Sequence, residues 1–338
     1  MHPERWVQVR PEGLYVVPGD FYVDPIRGVA RAVVTHGHSD HSRAGHQAVL
    51  ATAETLAIAR ARLGEGAGVA QQAAAYGEVI RVGEVDVTLL PAGHVLGSAQ
   101  VLMEHKGGRI VVSGDYKRRA DPTCTPFEPV HCDVFVTEAT FGLPVFRHPP
   151  VQDELRRLLH SVELFPERCH VVGAYTLGKA QRLIAELRLA GWDKPIFVHG
   201  ALAQMNEVYR ACGIDLGELR PATAGVKGEP RKELEGAIVV APPSAIADRW
   251  ARRLPDPVIC QASGWMRVKQ RAKQGGIELP LVISDHADWD ELLQTLDDVA
   301  APKVWITHGR EEALQYAARA KGYEAEALRL VGYDEEGA

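Results

Sequence analysis

Three imidazoles and one carboxylate fall within six residues in the stretch Thr35-His36-Gly37-His38-Ser39-Asp40-His41. All four are metal-ligand types, and imidazole with carboxylate is a donor set that suits a divalent ion. An apolar run, Val29-Ala30-Arg31-Ala32-Val33-Val34, leads in, so His36 sits where a buried strand ends and a loop begins. In an extended backbone His36 and His38 point to one side, because side chains alternate with period two. They can share one ion. A turn into helix after them would send Asp40 and His41 toward a second ion, while Gly37 leaves room and permits unusual dihedrals. The competing reading, a histidine-rich solvated turn, does not account for this density of ligand types.

The same design, an apolar run ending in a ligand-type side chain, recurs along the chain. Gly13–Val17 and Phe21–Asp24 read as short strands split by the Pro18-Gly19-Asp20 turn, the second ending in Asp24. Glu54–Arg62 has helical composition, and Glu78–Leu90 alternates as strands do before delivering Pro91-Ala92-Gly93-His94-Val95-Leu96-Gly97-Ser98-Ala99. Arg109–Val112 runs into Ser113-Gly114-Asp115, and Asp133–Thr137 into Glu138. Leu281–Asp288 reads as a strand carrying His286, and Val304-Trp305-Ile306-Thr307-His308-Gly309 echoes Val33–Gly37. Taken singly, Asp24 before a proline and Asp115 after a glycine are also ordinary turn residues. His2, His46, His105, His131, His148, His160, His170 and His199 lack such a setting and are expected to be structural or superficial.

His36-x-His38-x-Asp40-His41 after a buried strand resembles the signature of the metallo-β-lactamase fold. The His94 and Ser113-Gly114-Asp115 segments are similar to the third and fourth motifs of the nucleases in that superfamily that process messenger RNA ends. Glu138-Ala139-Thr140-Phe141-Gly142 resembles an element of the β-CASP subgroup. The resemblance implies an α/β protein, a metallo-β-lactamase αββα sandwich of residues 1–142 and 281–338 interrupted by an α/β β-CASP domain over 143–280. It implies two divalent metals, zinc or manganese. His36, His38, His94 and Asp115 would hold the first, and Asp40, His41, the bridging Asp115 and His308 the second. Asp24 would brace the loop from behind, and His286, oriented by Glu138, would act in catalysis beside the metal-bound Asp40. A narrower likeness, carried by Pro18–Pro25, Ala241–Ala245 and Ser263–Arg267, is to bacterial ligase-associated DNA exonucleases. It implies a DNA-repair setting with a helicase and an ATP-dependent ligase as partners.

The insertion has its own strand and helix alternation, with Cys169–Val172, a helix from Gly178, Pro195–His199 and Ala237–Val240. Gly178-Lys179 at the mouth of that helix is a candidate phosphate contact, since free helix amides attract anions. Ser263 opens a stretch in which Arg267, Lys269, Arg271 and Lys273 stand two apart. Extended, they would form one basic edge beside Trp265 for single-stranded nucleic acid; helical, they would spread over a solvated surface.

At 46% hydrophobic and 24% charged, the 338 residues have the composition of a soluble globular protein. A formal charge of −6 offers no global attraction for nucleic acid, so a polyanion must be held by local cations and metals. Five scattered cysteines without C-x-x-C spacing argue against a disulfide framework or a thiolate site. No apolar run nears the ~18 residues of a membrane helix, and Met1-His2-Pro3-Glu4-Arg5 has no signal-peptide core, so the expected setting is cytoplasmic without membrane contact. The expected activity is phosphodiester hydrolysis by a binuclear metal site, on single-stranded DNA in preference. RNA cleavage, a small-molecule hydrolase such as a thioesterase, and a catalytically silent scaffold are the alternatives.

Overall fold

The structure, a computed structural model, describes residues 3–222 and 232–328. His2 and the outer ends of the expected first domain lie outside the described residues. Contacts divide the chain into two compact units, Met1–Ala120 with Cys124–Arg147 and His286–Ala338, and Asp121–Thr123 with His148–Asp285.

In the first unit, β1 (Val7–Arg10), β2 (Gly13–Val16), β3 (Phe21–Val23), β4 (Arg31–Val33) and β5 (Ala48–Ala51) are followed by α1 (Ala53–Leu63) and β6 (Ala70–Ala73). The six strands form one sheet in chain order. Next come β7 (Val79–Val82), β8 (Val85–Pro91), β9 (Ala99–His105), β10 (Gly108–Val112) and β11 (Val134–Ala139). The second unit then intervenes with α2 (Val151–Leu164), β12 (His170–Gly173), α3 (Lys179–Leu189), β13 (Ile196–Val198), α4 (Ala203–Ala211) and β14 (Leu219–Pro221). It continues through β15 (Ile238–Ala241), α5 (Pro243–Ala247), β16 (Val258–Ala262), α6 (Lys269–Gln274) and β17 (Leu279–Leu281). The chain returns with α7 (Trp289–Val299), β18 (Lys303–Gly309), α8 (Glu311–Ala320) and β19 (Glu324–Ala327).

The second sheet of the first unit runs β19-β18-β11-β10-β9-β8-β7. Its central strands are apolar at consecutive positions because both faces are covered. Ile110, Val112, Val134, Val136 and Trp305 enter the core shared with Val16, Phe21, Val33 and Leu50 of the first sheet. The alternate residues Val111, Phe135, Val304 and Ile306 pack on Leu292, Leu296 and Val299 of α7 and Leu314 and Ala318 of α8. On the first sheet's far side, Leu56 of α1 covers Ala32, Val34, Val49 and Ala51. Period-two side chains thus build the expected helix, sheet, sheet, helix layering. In the second unit β14-β13-β15-β12-β16-β17 form a wholly parallel sheet, as alternating strands and helices dictate.

One expectation changes. Leu281–Asp288 is not a strand: β17 stops at Leu281 and pairs with β16 inside the second unit. The Val282 amide donates to Glu154 Oε2 at 2.7 Å instead of to a neighbouring strand, which ends the ladder. His286 therefore sits on a loop, and α7 begins just beyond it with a reciprocal Asp288 and Glu291 capping box.

Parallel β11 and β18 pair Glu138 with Thr307 and Ala139 with Gly309, so His308 is the extra residue of a bulge. Its φ of 55° and the 107° of Gly309 belong to the left-handed region. A Cβ on Gly309 would lie 2.3 Å from the Ala139 carbonyl oxygen, whereas one on Gly322, at φ 96°, would meet nothing within 4 Å. Gly322→Ala should therefore cost only the conformational penalty of about 1–2 kcal/mol, and Gly309→Ala at least roughly twice that. Urea unfolding of the two variants checks this, and equal losses would contradict it.

Candidate metal centre

Behind the ligand loop, the Asp24 carboxylate gathers three donors. Its Oδ1 accepts from the Thr35 amide at 2.8 Å, and its Oδ2 from Thr35 Oγ1 at 2.6 Å and His41 Nδ1 at 2.7 Å. Thr35 has a single hydroxyl proton and gives it to Asp24, so the 3.0 Å contact between Thr35 Oγ1 and His36 Nδ1 makes the imidazole the donor. Both His36 and His41 thus carry the proton on Nδ1 and turn Nε2 toward the centre. Asp24 reaches this position through a left-handed backbone, φ 45°.

Four ligand-type residues converge on the inner side. His38 Nδ1 lies 3.1 Å from His36 Nε2 and 3.0 Å from His94 Nε2. Asp115 Oδ2 is 3.5 Å from His36 Nε2 and 3.7 Å from His94 Nε2. Nitrogens bound tetrahedrally at ~2.0–2.1 Å would stand ~3.3 Å apart, close to this spacing. A second group, His41, Asp115 and His308, also has its ligand atoms within 4.8 Å of one another. His41 Nε2 is 3.5 Å from Asp115 Oδ2 and His308 Nδ1 3.6 Å from Asp115 Oδ1. Asp40 reaches this group through Oδ2, 3.5 Å from His41 Nε2, while its Oδ1 is buried with no hydrogen-bond partner among the described residues.

Electrostatics agree with a cation here. Burial and the charge on His41 hold His36 well below the ordinary histidine pKa, leaving a neutral imidazole with a lone pair to give. Burial works against charge on His41, but Asp115, Asp40 and Asp24 outweigh it and raise its pKa well above the ordinary value. These three carboxylates demand positive charge at one point, which a divalent ion supplies. The residues present fit such an ion.

Glu138 and His286 form a pair that also converges on Asp115, with ligand-type atoms of the three within 4.8 Å of one another. His286 Nδ1 lies 3.1 and 3.0 Å from the two oxygens of Glu138, which is 1% exposed and also accepts from the Tyr116 amide at 2.8 Å. With Nδ1 donating to Glu138, the ring nitrogen left for chemistry is Nε2, on a ring whose centroid stands 4.6 Å from that of His94.

The substrate contacts expected in the second unit look different in space. Lys179 is 4% exposed and its ammonium sits 2.7 Å from Asp285 Oδ2. The first amides of α3 are occupied as well: Gly178 donates to Gln181 Oε1, Lys179 to Leu177 and Ala180 to Tyr175. The helix mouth and the Lys179 ammonium thus already have partners within the protein. Ser263 caps a short 3-10 turn, Gly264–Arg267, and α6 follows, so the basic residues are helical and not a single extended edge. Arg267 and Lys269 remain exposed, while Arg271 lies over the Trp265 ring, 4.3 Å from its centroid.

Other bracing carried no chemical signal in the sequence. Arg62 of α1 donates to the Gly37 carbonyl at 2.6 Å, between His36 and His38. Ser98 and Lys117 hold the main chain of His94. His46, His105, His131, His170 and His199 have the structural bonds expected of them, to main-chain groups or, for His170, to Ser161.

No family model matches the chain. It is 29% identical over 321 residues to a probable DNA ligase of Opitutus terrae, a match covering 94% of this chain and 30% of that protein. It is 34% identical over 114 residues to cleavage and polyadenylation specificity factor subunit 3 of Dictyostelium discoideum, covering 32% of this chain and 14% of the relative. With endoribonuclease YSH1 of Saccharomyces cerevisiae it shares 31% identity over 143 residues, 38% of this chain and 18% of the relative. The chain therefore spans about a third of these relatives' length or less. A solved protein of unknown function from Enterococcus faecalis superposes with a TM-score of 0.60 at 14% identity, over 89% of this chain and 80% of that one, a likeness of fold. The chain has the metallo-β-lactamase fold. Its relatives support the β-CASP superfamily of that fold, whose nucleases use divalent metals, without singling out a DNA-repair family.

In this metallo-β-lactamase fold, Asp24 braces His41 and Thr35 without belonging to either converging group. An amide in its place would turn an NH2 toward one of three donors. Asp24→Asn should lower metal affinity about 10- to 100-fold while the apo protein keeps its far-UV circular dichroism. Competition against a chromogenic chelator measures it, and unchanged affinity would remove the bracing role.

Proposed function

We propose that the chain is a metal-dependent phosphodiesterase that hydrolyses nucleic acid, with single-stranded DNA favoured, in a cytoplasmic DNA-repair setting. The observation that carries this reading is the Glu138–His286 pair standing beside Asp115, within reach of two converging ligand groups. Two divalent ions, zinc or manganese, would be held by His36, His38, His94 and Asp115 and by Asp40, His41, Asp115 and His308, supplying Lewis acidity and an activated water. His286 Nε2 would give its proton to the leaving oxygen, while Glu138 keeps the ring turned and steadies the charge during the cycle. A thioesterase has no need of such a second, separately braced histidine. A silent scaffold has no need of a complete ligand set.

DNA is favoured because similarity to the protein named a DNA ligase covers 94% of this chain, against 32% and 38% for the two RNA-processing relatives. A ligase and a helicase are the corresponding partners. RNA cleavage is the second reading, and the name endoribonuclease on the YSH1 relative favours it. A single strand suits the site because its ligands are buried, so the scissile phosphate must come close. A flexible strand adapts to that more easily than a stiff duplex.

Digestion of labelled single-stranded DNA, duplex DNA and RNA side by side, with manganese or zinc, tests the substrate. Faster loss of RNA would transfer the proposal to the second reading, and no cleavage by protein carrying metal would end it. Metal analysis of protein prepared without chelator should approach two ions per chain, and a reproducible value of one or fewer would sink the binuclear arrangement.

The two late histidines separate by role. His308→Ala should reduce metal content and abolish cleavage of any substrate. His286→Ala should keep both metals and lose about 10²- to 10⁴-fold in rate, the usual worth of a placed proton donor. That loss should shrink for a nitrophenolate leaving group, which departs without protonation. Equal damage on nitrophenyl and natural phosphodiesters at matched metal content would take the acid role from His286.

A further inference from the structure

We propose that Lys117 and Ser98 are positioning residues for His94, holding its main chain from opposite ends and so fixing where its ring nitrogen stands toward a divalent cation. This rests on the metal-binding part of the function above and is independent of the substrate. His94 lies in the connection between β8 and β9. On the amide side, Ser98 Oγ accepts from His94 N at 3.0 Å and from Val95 N at 3.2 Å. On the carbonyl side, Lys117 Nζ donates to His94 O at 3.2 Å. The main chain of Lys117 closes on the same loop, with its amide bonded to Ala92 O at 3.1 Å and its carbonyl oxygen 2.4 Å from where a Cβ on Gly93 would lie.

Lys117 is 1% exposed. An ammonium buried to that extent is costly unless its hydrogens meet acceptors, and an apolar side chain would fill the space without that cost. The His94 carbonyl is one such acceptor. Lys117 also follows Asp115 by two residues, so a single short segment supplies both the shared carboxylate and the clamp on His94. The two ligands are thereby kept in register: His94 Nε2 stands 3.7 Å from Asp115 Oδ2 and 3.0 Å from His38 Nδ1. A displacement of about 1 Å would spoil a ligand set of this kind.

The full chain, stripped of metal by chelator dialysis, is titrated with Co²⁺ and followed by its visible absorption, for the parent, Lys117→Met and Ser98→Ala. Each variant should weaken Co²⁺ binding at the His94 site by about 10- to 100-fold and alter that site's spectrum, with the other equivalent bound as in the parent. A merely structural role would lower the unfolding temperature of the metal-free protein but leave affinity and spectrum of the folded protein unchanged, and that result overturns the proposal. If Lys117→Met does not fold, Ser98→Ala decides by the same criterion, because it leaves the buried charge in place. Failure of the parent to take up Co²⁺ would instead bring down the metal centre itself, a result distinct from parent and variants binding alike.

Discussion

A single buried carboxylate sets the terms for the whole site. Asp115 is 4% exposed, and nitrogens of His36, His41, His94 and His308 stand 3.5 to 3.7 Å from its oxygens. An ion taken out of water costs several kcal/mol unless its surroundings repay it. Burial by itself would raise the Asp115 pKa, but the charge on His41 and bonds from His308 and His41 hold it well below the ordinary carboxylate value. The fold answers by ending β4, β8, β10, β11 and β18 near it, with the surrounding imidazoles and carboxylates in a strand's last two residues or the loop beyond.

That convergence is achieved with strained backbone. Asp24 and His308 are non-glycine residues at positive φ, and Gly93, Gly114 and Gly309 share that region with carbonyls or side chains where a Cβ would go. For the two non-glycine residues such conformations cost on the order of 1–3 kcal/mol each and persist where surrounding bonds over-determine them. For Asp24 the over-determination is visible as three donors on one carboxylate. For His308 it is the β11–β18 ladder on either side of the bulge, where Glu138 pairs with Thr307 and Ala139 with Gly309.

The converging imidazoles and carboxylate were legible because metal-ligand residue types are few and because apolar runs mark strand ends. His36, His38, His41, His94, Asp115 and His308 could all be named from those two facts together with the family likeness. What escaped were roles that rest on hydrogen bonds. A serine, a lysine or an arginine has no type-specific signature, so Ser98, Lys117 and Arg62 are visible only when the carbonyl or amide they hold is in place. The loop position of His286 escaped for another reason: Leu281-Val282-Ile283 is apolar enough for a strand, but the Glu154 carboxylate takes the Val282 amide. Cation spacing left two readings open at Arg267 and Lys269, since a period of two carries information only in an extended chain, and here Arg267 ends a 3-10 turn and Lys269 begins α6.

The link between Asp115 and the Glu138–His286 pair runs through one peptide unit. Tyr116 follows Asp115 directly; its amide donates to Glu138 Oε1 at 2.8 Å and its carbonyl accepts from the Ala287 amide at 2.7 Å. Both members of that pair are therefore referenced to the residue beside Asp115, Glu138 through its carboxylate and His286 through its neighbour's backbone. The buried Tyr116 side chain allows that peptide little freedom, because its hydroxyl lies 3.2 Å from Thr137 Oγ1 and its ring packs on Phe127. Arg119 adds a second tie, pairing with Asp288 Oδ2 at 2.6 Å and Glu291 Oε1 at 2.7 Å where α7 begins. A histidine carried on a loop would ordinarily be a loose element of a site. Here the loop is held to the ligand-bearing segment at two points, so the distance from His286 to Asp115 is set by a few main-chain bonds rather than by the flexibility of the loop.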